Sequence, residues 1–215
     1  MLKSPRVRPQ KESEVNRVHR LIKGWILEAE LRPGDFVSEL ELARQCKSSR
    51  TPVREACSRL SQDNWIQRLP RRGYLVPPIS AREIVEVYEV RTLIECFAAE
   101  RAARLASREE LDALRKLTEK EMKPGLSRAG LLAVNDAFHL AVADIARNQR
   151  VVGQLRLTLE YVHRLDVLSL ERDHDGITHG AILSALRSRL PARAKRAMAA
   201  HIDSARDRML KIFGS

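Results

Sequence analysis

Aromatic residues are scarce. Phe, Trp and Tyr together make up 4% of the 215 residues, too few for the ring-rich inner faces of a β-sandwich. Glycine and proline number nine each, which is thin for the turn-dense connections of an all-β chain. No apolar run reaches the length of a membrane-spanning helix, so no membrane partner is expected. The basic start MLKSPRVRPQK has no apolar stretch behind it and does not read as a signal peptide. Residues 1–12 are expected to form a flexible basic arm. The three cysteines, Cys46, Cys57 and Cys96, are odd in number, widely spaced and without a CxxC pair. That usage points to a reducing, cytoplasmic setting.

Aliphatic side chains and positive charge are what the sequence has in quantity. Hydrophobic residues reach 44%, and the formal net charge is +11. The excess is uneven. Residues 1–79 hold 16 Lys/Arg against 9 Asp/Glu, a net of +7, while residues 80–215 hold 23 against 19, a net of +4. A basic N-terminal third indicates a polyanionic partner, with nucleic acid ahead of membrane.

The apolar spacing of Val15, Val18, Ile22, Trp25 and Ile26 predicts a helix over 13–31, with Ser13 as N-cap and Leu31-Arg32-Pro33-Gly34 as its stop. Ser38 opens SELELARQC, a short second helix, and Glu41 three residues on completes a capping-box pattern. A third helix begins in SRTPVREACSRL. Pro52 is tolerated there because a first-turn residue has no intrahelical partner for its missing N–H. Ser49 is the cap candidate. Two short strands follow, Trp65–Leu69 and Tyr74–Val76, joined by a turn at Pro70-Arg71-Arg72-Gly73. Three helices and a β-hairpin make a winged helix-turn-helix over 13–79, closed by Pro77-Pro78. In such a unit the start of the third helix meets base edges. Ser49, Arg50, Thr51 and Arg54 occupy that start, and Arg50 and Arg54 share a face. Arg71, Arg72 and Gly73 sit at the tip of the wing, where guanidiniums reach phosphate or the minor groove.

From Ser80 onward the periodicity is helical throughout. It predicts about six helices, at 80–106, 107–122, 127–148, 149–172, 174–190 and 191–213. The chain as a whole is therefore mainly α, with an all-α bundle over 80–215. Three histidines lie on apolar helical faces within it: His139 with Leu132, Asn135, Val142 and Ala146; His179 with Ile182, Leu183 and Leu186; His201 with Ala194, Ala197, Met198 and Ala205. Imidazoles converging on one interior suit a divalent metal (Zn, Ni or Mn), and bundle cores are common places for one. Asn135, one turn before His139, is the fourth candidate ligand. His19, His163 and His174 are given structural or surface roles. Arg91 interrupts the apolar stripe of Ile84, Val87, Ile94 and Ala98. A buried arginine needs a counter-ion. It is either an internal partner of Glu95 or an anchor for a carboxylate ligand. The histidines leave two further readings open, a metal-dependent hydrolase with a basic appendage and a regulator whose pocket is metal-free. Against the hydrolase, the sequence contains no HExxH.

The stretch ELARQCKSSRTPVREACSRLSQDNWIQRLPRRGYLVPP resembles the winged-helix domain of GntR-type bacterial transcription regulators, with SRTPVREA its most specific part. VYEVRTLIE, NDAFH and HGAILSAL…AMAAH are similar to the FCD effector domain of the FadR subfamily. The resemblance implies a homodimer that binds double-stranded operator DNA, more often a repressor, with Arg50 and Arg54 on bases or phosphates and the wing around Gly73 in the minor groove. It also implies a small organic-acid effector and a divalent metal held by an Asp, a His four residues later and two His from the last two helices. The matching positions are Asn135, His139, His179 and His201, so Asn stands where the family has Asp. Two further departures are Lys47-Ser48, where the family has Gly-Val, and Leu40, where it often has Arg.

Overall fold

The computed structural model describes residues 12–169 and 178–214. The basic arm, save its last residue, therefore lies outside the described residues, as do His174 and the break expected at 173–176. The chain forms two compact units, Met1–Pro78 and Ile79–Ser215.

In the first unit, α1 spans Glu14–Leu27, α2 Glu39–Gln45 and α3 Arg50–Gln62. Ser13 caps α1, its hydroxyl accepting from the Asn16 N–H at 3.2 Å. The helix stops four residues before its expected end because Ala29 turns left-handed, at φ 56°. Val18, Ile22 and Ile26 of α1, Leu42 of α2 and Val53, Ala56 and Leu60 of α3 are all fully buried or nearly so, and α1 and α2 each pack on α3. Each such side chain contributes about 1.5–3 kcal/mol by leaving water.

The wing holds a strand that the sequence does not announce. Besides β2 (Gln67–Leu69) and β3 (Gly73–Leu75), a two-residue strand β1 (Phe36–Val37) pairs antiparallel with β3, giving the order β1-β3-β2. Two residues are too few to show alternation, so β1 hides in the loop before α2. Trp65 and Ile66 are buried core residues ahead of β2, and the expected first strand shortens accordingly. The expected capping box at Ser38 is only half present. The Ser38 hydroxyl accepts from the Glu41 N–H at 3.1 Å, but the Glu41 carboxylate turns to Arg44 at 2.7 Å and Gln45 at 2.6 Å.

In the second unit the described helices are α4 (Ala81–Leu105), α5 (Arg108–Glu121), α6 (Arg128–Ile145), α7 (Gln149–Ser169), α8 (Gly180–Arg187) and α9 (Pro191–Phe213). Full capping boxes start α4, between Ser80 and Glu83, and α5, between Ser107 and Glu110. Pro191 takes the first position of α9, where it needs no N–H partner. The 25-residue α4 packs most extensively on α9, and Ile84, Tyr88, Phe138, Leu165, Ile182, Met198 and Ile202 lie in their shared core. No described helix is long and apolar enough to cross a membrane.

Candidate DNA-contact face and histidine site

Three structural elements aim the arginines of the first unit. Ser49 caps α3 by backbone conformation alone, and its hydroxyl makes no capping hydrogen bond. Pro52 sits in the first turn, as its chemistry requires. Lys47, in the turn before it, adopts φ 49°, the left-handed conformation expected of a family glycine and strained for a side-chain-bearing residue. At the wing tip Arg71 is also left-handed, at φ 62°. Gly73 has φ 112°, and a Cβ there would stand 2.4 Å from the Val37 carbonyl oxygen. Only glycine lets β1 and β3 approach this closely.

These elements bring Arg50, Arg54, Arg71, Arg72 and Gly73 to one concavity of about 330 Å³, together with Arg68. Thr51 lines a neighbouring hollow with Arg54. The organiser is Glu39, at the start of α2, which sequence reasoning missed. Arg54 grips it with two hydrogen bonds, Nε to Oε1 at 3.1 Å and Nη2 to Oε2 at 2.9 Å. Arg50 approaches the same carboxylate at 3.7 Å, and the Tyr74 hydroxyl donates to it at 3.3 Å. The Arg54 hydrogen bond, above all, holds the Glu39 carboxyl below the usual carboxylate range. One acid thus ties α2, α3 and β3 together and sets both guanidiniums, which remain more than half exposed. Nothing local marks Glu39, since its partners lie 11 to 35 residues away.

In the second unit the three histidines converge. One ring nitrogen from each of His139, His179 and His201 lies within 4.8 Å of the others. His179 does not sit inside a helix as expected. It is the N-cap of α8, with its N–H donated to Glu121 Oε1 at 2.8 Å in place of an intrahelical carbonyl. Its Nδ1 meets Glu121 Oε2 at 2.6 Å, and its ring stacks on Phe138 with centroids 4.2 Å apart. His139 Nδ1 meets the Glu95 carboxylate in the same way. A carboxylate at Nδ1 fixes the proton there and leaves the lone pair on Nε2. The two Nε2 atoms face each other at 3.2 Å. The His139 lone pair accepts from Arg91 Nη2 at 2.8 Å, and three imidazole nitrogens this close together fit a divalent ion as a donor set. His201 stands with its ring 5.2 Å from His139 and 4.8 Å from His179.

Burial pushes the His139 and His201 imidazoles toward their neutral, ligating forms. His139 falls to about 4, with Glu95 opposing and Arg91 reinforcing the shift. His201 falls to about 2 through burial and its two histidine neighbours. Burial raises the Glu95 carboxyl, but His139 and Arg91 outweigh it and hold the group at about 2.

Arg91 forms the internal pair with Glu95. Its Nε donates to Glu95 Oε1 at 2.5 Å and its Nη2 to His139 Nε2 at 2.8 Å, and it also lines a cavity of about 330 Å³. Asn135 lines that cavity beside His201, with its amide nitrogen 3.2 Å from Asp136 Oδ1. Asp136 itself is engaged by His163 Nδ1 at 3.1 Å. Sequence reasoning also missed Glu121. It ends α5 and reaches His179 across 58 residues of sequence.

A winged helix-turn-helix whose arginines share one exposed concavity defines a DNA-binding protein, and the histidine site belongs to a separate helical unit. Residues 14–76 match "Bacterial regulatory proteins, gntR family", and residues 86–204 match the FCD domain. The chain belongs to the GntR family of bacterial transcription regulators, in the branch that carries an FCD domain. It is 29% identical over 186 residues to the Nta operon transcriptional regulator of Aminobacter aminovorans, covering 85% of this chain and 88% of that one. It is 28% identical over 195 residues to the HTH-type transcriptional repressor RspR of Escherichia coli, covering 86% and 84%. The solved structure of E. coli McbR/YncC shares the fold, with a TM-score of 0.74 at 20% identity over 94% of this chain and all of that one. The chain is thus a DNA-binding transcription regulator and not an enzyme, which sets the hydrolase reading aside.

Proposed function

We propose that this regulator is a repressor whose affinity for operator DNA is set by a small organic acid bound beside a divalent metal in the helical unit. The observation that carries the reading is the convergence of one ring nitrogen from each of His139, His179 and His201 within 4.8 Å, with Glu95 and Glu121 at the Nδ1 atoms of the first two. A cation among them would replace the Arg91 hydrogen bond to His139 Nε2. His139, His179 and His201 would hold it, with Asn135 as a neutral fourth group, a weaker donor than a carboxylate. Three imidazoles favour Zn or Ni over Mn. A bound metal supplies positive charge for a carboxylate. Arg91, fixed by Glu95, adds a second cation on the same cavity wall.

At the other unit, Arg50 and Arg54 take base edges or phosphates, with Ser49 and Thr51 beside them, and Arg71, Arg72 and Gly73 place the wing along the groove. Residues 13–79 act as the DNA head and 80–215 as the effector and dimerisation domain. An exposed apolar stripe on α4, of Val90, Leu93 and Phe97, supports a homodimer, and a dimer matches two operator half-sites. An effector alters operator affinity only by favouring one arrangement of the two heads. The repressor reading is supported by the name of the relative RspR.

The test is a titration of DNA selected from a random library, followed by fluorescence anisotropy with and without zinc and a panel of organic acids. At least one acid should shift the wild-type affinity several-fold, and His179→Ala should abolish the shift. An unchanged response in His179→Ala would establish a metal-free pocket instead.

A further inference from the structure

We propose that Leu40 reads the methyl group of a thymine, which makes it a specificity-determining residue of the DNA-contact face. This deepens the DNA reading above and rests on it.

Leu40 is the second residue of α2 and is 70% exposed, whereas Leu42 and Ala43 of the same helix are buried. A single exposed leucine needs no explanation in itself. The surroundings of this one do. Leu40 lines the concavity of about 330 Å³ that also holds Arg50, Arg54, Arg68, Arg71 and Arg72. Guanidiniums take phosphates and base-edge acceptors. A leucine among them offers neither a charge nor a hydrogen bond, so it contributes to binding only through an apolar partner. Its position is also fixed. Ser38 caps the helix, its hydroxyl accepting from the Glu41 N–H at 3.1 Å. Glu39, the residue just before Leu40, is gripped by Arg54 through two hydrogen bonds at 3.1 and 2.9 Å. The first turn of α2 is thereby locked to the start of α3, and Leu40 is carried with it.

DNA offers such a side chain few apolar groups. In the major groove the C5-methyl of thymine is the apolar feature that marks one base from the others. The start of a recognition helix enters that groove, and Leu40 shares its concavity with Arg50 and Arg54 of that start. Deoxyribose carbons are the competing partner. They accompany every phosphate and carry no sequence information. The anchoring decides between the two. Glu39 couples Leu40 to Arg54 on the recognition helix, and not to Arg71 or Arg72 at the wing tip. Leu40 therefore follows the residue that reads bases. The expected partner is a thymine next to the base pair that Arg54 takes. Leu40 adds a preference for thymine to a face whose arginines suit guanine and phosphate.

The experiment uses the full chain and a duplex operator selected from a random library, with affinity read by fluorescence anisotropy. Each thymine is replaced singly by deoxyuridine, which lacks the 5-methyl alone. The wild type should lose about three- to fivefold at one thymine in each half-site, the worth of one buried methyl-sized group. Leu40→Ala, at an exposed position where circular dichroism should not change, should bind the unmodified duplex at least threefold more weakly. It should lose less than 1.5-fold further when that thymine becomes deoxyuridine. The inference is overturned if no thymine responds, or if the responsive thymine costs the variant as much as it costs the wild type. The second pattern would mean a deoxyribose contact by Leu40 or a methyl read by another side chain. Arg54→Ala is measured beside them. If it binds the unmodified duplex as tightly as the wild type does, the assignment of this face to DNA falls first and takes the inference with it.

Discussion

The two units use charge in opposite ways. In the winged unit the arginines stand in water, and one half-buried acid, Glu39, gathers two of them without neutralising the surface. In the interior of the helical unit the polar groups are buried and tied to acids: Arg91 and the His139 ring to Glu95, and the His179 ring to Glu121. An exposed cluster keeps its cations available for a long polyanion, which brings its own counter-ions to release. A buried cluster holds its groups at fixed positions for a small ligand. The contrast teaches where each unit is vulnerable: the first to losing a single guanidinium, the second to a change of protonation.

Acid should separate the two regions most sharply. The folded-state pKa values of His139 and His201 are depressed from 6.5, to about 4 and about 2. Their stabilising contribution is complete above pH 6.5 and is lost as the pH falls from there toward those values, because only the unfolded chain takes up protons. Asp166 works in the other direction. Burial raises it from 3.8 to about 6, so its contribution is complete below pH 3.8 and lost as the pH rises through 6. Two histidines outweigh one aspartate. The metal-free chain should therefore lose several kcal/mol of stability between about pH 6.5 and 4, since a tenfold change in proton affinity is worth about 1.4 kcal/mol. Hydrogen exchange read by mass spectrometry should show the loss in α4, α6 and α9 and little change in α1–α3. Equal deprotection in both units would erase the comparison.

The next largest effect belongs to the exposed face. Arg54→Ala should lower affinity for selected operator DNA by about 1–3 kcal/mol, the worth of a bidentate base contact, and leave the circular dichroism spectrum unchanged. Footprinting that still shows a sequence-specific site at wild-type protein concentration would remove Arg54 from the interface. Smaller again is the effect of the carboxylates behind the histidines. Glu121→Gln should weaken zinc binding about 10- to 100-fold, measured by competition with a chromogenic chelator, without altering DNA affinity at saturating zinc. The smallest effect lies in the turn before α3. Lys47→Gly relieves a left-handed side-chain-bearing residue, and relief worth about 1–2 kcal/mol is partly offset by the freer unfolded chain. Thermal denaturation should show a gain of under about 1 kcal/mol.

The helices and the histidine faces are legible in the sequence because period and capping are local. Ser80, Ser107 and Pro191 mark helix starts by chemistry that involves the next three residues alone. His139 and His201 can be placed because each lies on a regular apolar face. The parts that escape depend on distant partners. β1 exists only because β3 returns beside Phe36 and Val37. Glu39, Glu121 and Asp166 are ordinary acids in sequence, and only the fold brings the first to Arg54, the second to His179 and the third to the cavity. The periodicity places His179 inside a helix, since no local pattern reveals that its N–H is claimed by Glu121.

The most direct test of the histidine site is native mass spectrometry of the freshly purified chain beside His139→Ala. The wild-type protein should carry one divalent ion per chain and the variant none. A metal-free wild type, or equal metal content in both proteins, would contradict a resident ion held by these histidines.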